Sequence, residues 1–358
     1  MSGQLRVDLS ALQSNYRLYQ RSSPDREVAA VVKADAYGLG AAEVSRALAA
    51  VGCQCFFVAN MEEGTALREV LIEPEIFVLG GILAGTEDQF VAHRLTPVIN
   101  DQEQLAAWYP HRHLPIAVHV DTGMSRLGFT ADVSAEDFSE YQLSLLMTHF
   151  ACSDEPSAGL NGRQIERFRE LCGHFPGVRT SLGNSSAWLL GPDFRGDIGR
   201  PGIGLYGADP FGCSPDEVVA GTTSIEKPEV VARFSTRVLQ IREVPKGDSI
   251  GYGASFIASR DMRIAIVDCG YADGVPRALS NVGSLAIEDR LVPIVGRVSM
   301  DMTAVDISDC VAAPRPGDWL ECFGDRISVD QVAAWAGTIA YEVLTGIRPR
   351  VPRRYHWG

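Results

Sequence analysis

Between the start of the chain and about Gly207, short apolar runs recur with helical patterns between them. The runs fall at 28–32, 55–59, 76–79, 97–99, 116–120, 143–148, 179–182 and 203–206. Unbroken aliphatic runs of this length suit strands covered on both faces, as in a parallel sheet. The intervening segments, such as 41–51 and 164–173, are long enough for crossover helices. Eight such units predict an α/β chain that opens with a TIM-type (β/α)8 barrel, whose functional groups should sit just beyond the strand C-termini.

The pattern changes after Phe211. The polar stretch GCSPDEVVAGTTSIEKPE leads into RFSTRVLQIREV, RIAIVDCG, GSLAIED and LVPIVGRVSMDMTAVDI, which alternate or run apolar between Gly, Pro and Asp turns. Little helix separates them, so a mainly β C-terminal domain follows the barrel. The boundary is placed near Ile225, giving a barrel over 1–225 and a β domain over 226–358. One helix interrupts the second domain, opening at Ser328 with Gln331 three residues on, as in a capping box.

With 358 residues and 46% hydrophobic residues, the chain is ample for two packed cores. The net charge of −13 comes without a basic block, which argues against nucleic acid as a partner. The eight cysteines are scattered, and the one close pair, Cys53 and Cys55, lacks the CxxC spacing of a zinc or redox site. The start, MSGQLRVDLSALQSNY, has no basic region leading into a long apolar run, and no stretch reaches membrane-spanning length. A soluble, cytoplasmic protein without a membrane or metal partner is expected.

The first apolar run ends in VVKADAYGLG, so Lys33 falls at the mouth of the expected barrel. Burial disfavours the charged form of a lysine, and a neutral amine can condense with an aldehyde cofactor. The barrel rule expects phosphate near the loops after strands seven and eight. GNSS at 183–186 and RPGIGLYG at 200–207 fall there, with glycines that let backbone N–H groups come close and hydroxyls that add donors. Taken singly, each of these residues could equally cap a strand or turn the chain.

Together they resemble the alanine racemases, and the resemblance covers nearly the whole chain. VVKADAYGLG matches that family's cofactor-lysine motif. In order come DTGMSRLGF (121–129), MTHF (147–150), GNSS, RPGIGLYG, IGYG (250–253), GYADG (270–274), GRVSMD (296–301) and AYEVLTGIRPRVPRRY from Ala340. The resemblance implies an isomerase that carries pyridoxal 5'-phosphate on Lys33 and interconverts L- and D-alanine. Such an enzyme serves D-alanine biosynthesis and cell wall biogenesis, or alanine breakdown.

Site residues follow from the same resemblance. Tyr37, Ser185, Gly202, Ile203 and Tyr341 hold the phosphate, and Arg200 faces the pyridine nitrogen. A guanidinium only donates, so that nitrogen stays unprotonated and the ring is a weaker electron sink, which favours prompt reprotonation. Racemisation needs a base on each face of a planar α-carbon. Lys33 supplies one, and Tyr252 matches the second, linked by hydrogen bonds to His149 and Arg200 and donated across a homodimer interface. Arg126 lies near the substrate carboxylate, a match for its fork. Met300 and Asp301 match a partner-subunit loop that completes the pocket. Tyr271, Tyr341, Asp154, Arg297 and Ile339 match the family's entrance.

Three positions depart from the commonest pattern. His119 stands where many members carry a lysine carbamate that supports the arginine, Ser125 replaces a more usual glycine, and Ser181 stands where some members have histidine. Arg126 must then be oriented by a chloride, a carboxylate or a direct hydrogen bond from neutral His119. Three other readings meet these residues differently. A non-catalytic cofactor carrier would not need the second domain, and a decarboxylase would place an acid where Arg200 stands. A racemase for serine or a larger amino acid stays open.

Overall fold

The computed structural model describes residues 3–212, 226–312 and 314–358. The expected boundary near Ile225 and the residue Cys213 lie outside them. The other seven cysteines are free thiols, and no helix among the described residues is long and apolar enough to cross a membrane.

Seven parallel strands follow one another in chain order: Ala30–Val31, Cys55–Val58, Glu75–Val78, Thr96–Ile99, Pro115–His119, Gln142–Met147 and Arg179–Ser181. Seven of the eight expected strands are therefore in place. The eighth is corrected. The run 203–206 forms a single 3-10 turn, Ile203–Tyr206, and the strand that closes the ring is Ile198–Gly199, parallel to Glu27–Val28. The amides of Glu27, Ala29 and Val31 continue the pairing by donating to the carbonyls of Asp197, Gly199 and Pro201. The chain cannot extend this strand, because Pro201 has no N–H to donate and the glycines after it turn away.

Helices cover the ring. Leu9–Ser22 is capped by Asp8, whose carboxylate accepts from the amides of Ser10 and Ala11 at 3.0 Å each, and it buries Leu12, Tyr16 and Tyr19. At the N-terminal ends of the strands, Arg179 bridges Glu27 at 3.4 Å and Glu75 at 3.0 Å. This places a charge cluster at the closed end and leaves the C-terminal ends for the site.

The second domain is built on the thirteen-residue strand Ala232–Val244. Its first half pairs with Trp319–Phe323 and its second half with Met262–Val267, and an irregularity at Val238 marks the change of partner. Gly3–Asp8 also joins this sheet, antiparallel to Ala232–Val244 and parallel to the C-terminal strand Arg353–His356. The N-terminal strand thus belongs to the β sheet before the chain enters the barrel. Helix Val329–Ala336 begins where the sequence indicated, with the Ser328 hydroxyl accepting from the Gln331 amide at 3.0 Å.

Barrel closure depends on a close approach at Gly199. A Cβ there would fall 2.5 Å from the Trp188 ring, and that ring is fully buried and pinned by its Nε1–H to the Tyr19 carbonyl at 3.0 Å. Gly199→Ala should therefore lower unfolding stability by about 1–3 kcal/mol through overpacking. Urea unfolding midpoints of the two proteins check this, and an unchanged midpoint would show that the closure is looser than the packing indicates.

Candidate active site

The residue after Lys33 begins an unusual local structure. Ala34, Asp35, Ala36 and Tyr37 all have φ between 52° and 54°, a left-handed turn that costs L-residues about 1 kcal/mol or more apiece. Hydrogen bonds from outside hold it. The Glu63 carboxylate accepts from the amides of Ala34 and Ala59 at 2.8 Å each, and the Asp35 carboxylate accepts from the Ala41 amide at 2.7 Å. From the β domain, Arg353 donates to the Gly38 carbonyl at 3.0 Å and the Tyr355 hydroxyl to the Leu39 carbonyl at 3.0 Å.

This turn opens a cavity of about 1100 Å³ at the barrel mouth. Lys33, Tyr37, Arg126, His149, Asp154, Ser185, Arg200, Gly202, Ile203, Ile339 and Tyr341 all line it, together with His119. Burial, with help from the Arg126 and Arg200 charges, lowers the Lys33 pKa below its ordinary value against the opposing pull of Glu63. The charged form is thus less favoured than in a lysine exposed to water.

Arg200 lines the same cavity. It is buried, and it donates to Ser181 Oγ, to the Thr148 carbonyl at 2.7 Å, to the Leu182 carbonyl at 3.3 Å and to His149 Nδ1 at 3.4 Å. All of these acceptors are neutral, and no carboxylate pairs with this guanidinium among the described residues. Burial lowers its pKa only to about 10, so it stays a cation. Because Arg200 has only donors, the His149 nitrogen that it meets must be bare, and the ring proton sits on Nε2. Burial and the neighbouring cations hold His149 well below the usual histidine range.

A cradle lies beside it. Ser185 Oγ accepts from the Gly202 amide at 2.8 Å and the Gly204 amide at 3.3 Å, which leaves its own proton free to donate. A Cβ on Gly202 would fall 2.4 Å from the Tyr37 hydroxyl, so only glycine lets that hydroxyl close over the loop. The Tyr37 ring is flanked by Tyr206 at 4.8 Å and Tyr341 at 5.6 Å between centroids. Hydroxyl donors around a glycine loop, with a buried arginine that meets no carboxylate among the described residues and a lysine of lowered pKa nearby, fit a phosphorylated pyridine aldehyde.

Four sequence-derived site residues lie elsewhere. Tyr252 is 71% exposed and Met300 is 54% exposed on the β domain. Arg297 lies against Gly253, with its guanidinium 3.1 Å from where a Cβ would stand. Tyr271 donates its amide to the Ser299 carbonyl at 3.0 Å and lines a shallower hollow that shares Thr338 and Glu342 with the main cavity. These four gather on one surface of the second domain, outside the cavity of their own chain. Sequence reasoning missed Glu63, whose Asn60-x-x-Glu63 spacing reads as an ordinary helix cap, and Asn100, which carries no motif.

This architecture defines a two-domain barrel enzyme with a lysine-based cofactor site, and comparison with known proteins supplies the family. Residues 7–210 match the alanine racemase N-terminal domain and residues 231–355 the alanine racemase C-terminal domain. The chain belongs to the alanine racemase family. It is 40% identical to the biosynthetic alanine racemase of Agrobacterium fabrum, over 98% of this chain and 93% of the relative. It is also 40% identical to the catabolic alanine racemase of the same organism, over 99% and 92%. Among solved structures, the alanine racemase of Bartonella henselae with covalently bound pyridoxal phosphate superposes with a TM-score of 0.92 at 33% identity, over 99% of this chain and 100% of that one.

The imidazole of His119 generates a pH prediction. Burial, with the charges of Arg200 and Arg126, lowers its pKa from 6.5 to about 4. An unfolded histidine takes up a proton near pH 6.5, so the unfolded state binds the proton first as pH falls. The stability due to a neutral His119 is therefore full above about pH 6.5 and is lost toward pH 4, by at most roughly 3 kcal/mol. Urea unfolding across that range should show a shallower loss in His119→Gln. Equal slopes would mean that the imidazole is hydrated in the folded state.

Proposed function

We propose that the chain interconverts L- and D-alanine, with pyridoxal phosphate held at the barrel mouth and Lys33 and Tyr252 as opposed bases. The observation that carries this reading is Lys33, half-buried and with its pKa lowered, in one cavity with a buried arginine that meets no carboxylate among the described residues. When bound, the cofactor withdraws electrons from the amino acid's α-carbon and makes its proton labile.

The chain's own groups then divide the work. Ser185, Tyr37, Tyr341 and the backbone at Gly202 and Ile203 hold the phosphate. Arg200 presents N–H to the pyridine nitrogen, and since it cannot accept a proton it limits how far charge is drawn into the ring. Arg126 takes the substrate carboxylate. Lys33 Nζ moves the α-proton on one face. Tyr252 of the partner subunit moves it on the other, with the Nε2–H of His149 available to its oxygen. Tyr271, Arg297, Asp154 and Ile339 shape the entrance, and Met300 of the partner subunit completes the carboxylate pocket.

This arrangement requires a homodimer, since Tyr252 and Met300 stand exposed on the β domain, outside the cavity of their own chain. Mixing inactive Lys33→Ala and Tyr252→Phe proteins should restore part of the activity, because one of the two mixed sites contains both bases. Subunit exchange without recovery would remove the shared site.

The two bases also predict an asymmetry. With Lys33 acting on D-alanine and Tyr252 on L-alanine, Tyr252→Phe should slow α-proton exchange from L-alanine in heavy water by about 10²- to 10⁴-fold, the usual loss on removing a positioned base. Exchange from D-alanine should be retained in larger part. Equal slowing for both enantiomers would overturn the two-base assignment, and a wild-type protein that racemises another amino acid but not alanine would overturn the substrate.

A further inference from the structure

Resting on that reading of Arg126, the inference concerns what supports this arginine. The loop 121–129 is tied at its base, where Phe129 N–H donates to the His119 carbonyl at 2.9 Å and Asp121 N–H to the Phe129 carbonyl at 2.8 Å. The carboxylate within the loop is already occupied. Asp121 accepts from the amides of Gly123, Met124 and Ser125 at 2.7 to 2.8 Å. Its work is to shape the turn, including Ser125 at φ 58°.

His119 ends the strand that feeds this loop, and its ring is part of the cavity wall that Arg126 also lines. Its Nδ1 lies 3.0 Å from Asn100 Oδ1. The amide of Asn100 has a fixed orientation, since its Nδ2 donates to the carbonyls of Val98 at 2.8 Å and Leu79 at 3.2 Å. Carbonyl oxygens only accept, so the nitrogen must point to them and the oxygen to the histidine. Nδ1 must then carry the proton, which leaves Nε2 with a bare lone pair. His119 lines the cavity and Asn100 does not, which fits an Nε2 edge turned toward the cavity.

We propose that Asn100 and His119 are positioning residues for Arg126: Asn100 fixes the histidine tautomer, and the bare Nε2 accepts a hydrogen bond from the guanidinium when a carboxylate substrate is bound. The support is neutral, so Arg126 keeps its full charge for the substrate carboxylate. Burial and the nearby Arg200 agree with a neutral ring. The direction of this bond is opposite to one donated by His119.

Two measurements test the relay. Nitrogen-15 spectra of histidine-labelled holoenzyme at pH 7, assigned with His119→Gln, should show His119 protonated on Nδ1 and bare on Nε2. His119→Leu should raise KM for L-alanine about ten- to hundredfold, the loss expected for a hydrogen bond to a charged group, with kcat changed far less. His119→Gln, whose side-chain oxygen can accept, should restore most of the affinity, and Asn100→Leu should weaken it in the same direction. A proton on Nε2, or equal KM values for the Gln and Leu variants, would overturn the proposal. So would a wild-type KM that depends on chloride, which would put an anion between the two side chains. A holoenzyme that racemised no alanine would overturn the functional reading instead, and the nitrogen shifts would still judge the relay.

Discussion

The left-handed turn at 34–37 is the constraint on which the rest of the site depends. Four consecutive L-residues in that conformation do not persist by themselves. Here the strain is offset from two directions, by Glu63 on the barrel side and by Arg353 and Tyr355 on the β-domain side. The result is that Lys33 stands at the cavity edge while Tyr37, one short turn later, reaches over Gly202. The C-terminal strand Arg353–His356 therefore has a mechanical reason to lie in the same sheet as Gly3–Asp8. Pairing with the N-terminal strand fixes it against the barrel's first loop, so the two domains share responsibility for one lysine.

Much of this was legible in the sequence, for reasons that differ by element. Seven barrel strands announce themselves because both faces are covered and the residues are apolar without alternation. The eighth does not, since Ile198–Gly199 is too short for any periodicity, while the nearby IGLY run is apolar because it packs a turn beneath the cradle. Gly3–Asp8 is amphipathic but pairs with residues more than two hundred positions away, and no local pattern encodes such a partner. Within the site, glycine and arginine motifs were readable because their chemistry is specific. Glu63 and Asn100 were not, since each acts by satisfying neighbouring backbone or ring nitrogens and resembles an ordinary helix cap or strand-end residue in sequence. The left-handed turn itself was hidden, because Ala-Asp-Ala-Tyr has no glycine to signal positive φ, and only a loop after the first strand could be read there.

The two cavity histidines show how a buried network assigns protons without any charge of its own. Arg200 is donor-only, so the His149 nitrogen it meets is bare and the proton is displaced to the far side of the ring. Asn100 presents an oxygen, so the His119 nitrogen it meets is protonated and the far side is bare. One imidazole thus offers the cavity a donor and the other an acceptor. Both tautomers are dictated by partners whose own orientation is fixed by backbone carbonyls. Low polarity makes both assignments firm, since an unmatched donor or acceptor there costs more than it would in water.

Electrostatic balance completes the account. Lys33, Arg126 and Arg200 converge on the cavity, the histidines there are held neutral, and Asp121 spends its carboxylate on backbone amides. A buried guanidinium without a counter-charge is expensive, even with its donors satisfied. Asp154, Asp209, Asp330 and Glu342 also line the cavity, but none of them pairs with Arg200 among the described residues. On the proposed reading, a phosphate at the Ser185 and Gly202 cradle and a substrate carboxylate at Arg126 would be the anions that meet these cations. In the proposed relay, a neutral group at position 119 would orient the guanidinium through a lone pair and leave its charge for the substrate carboxylate, for which an anionic support would compete.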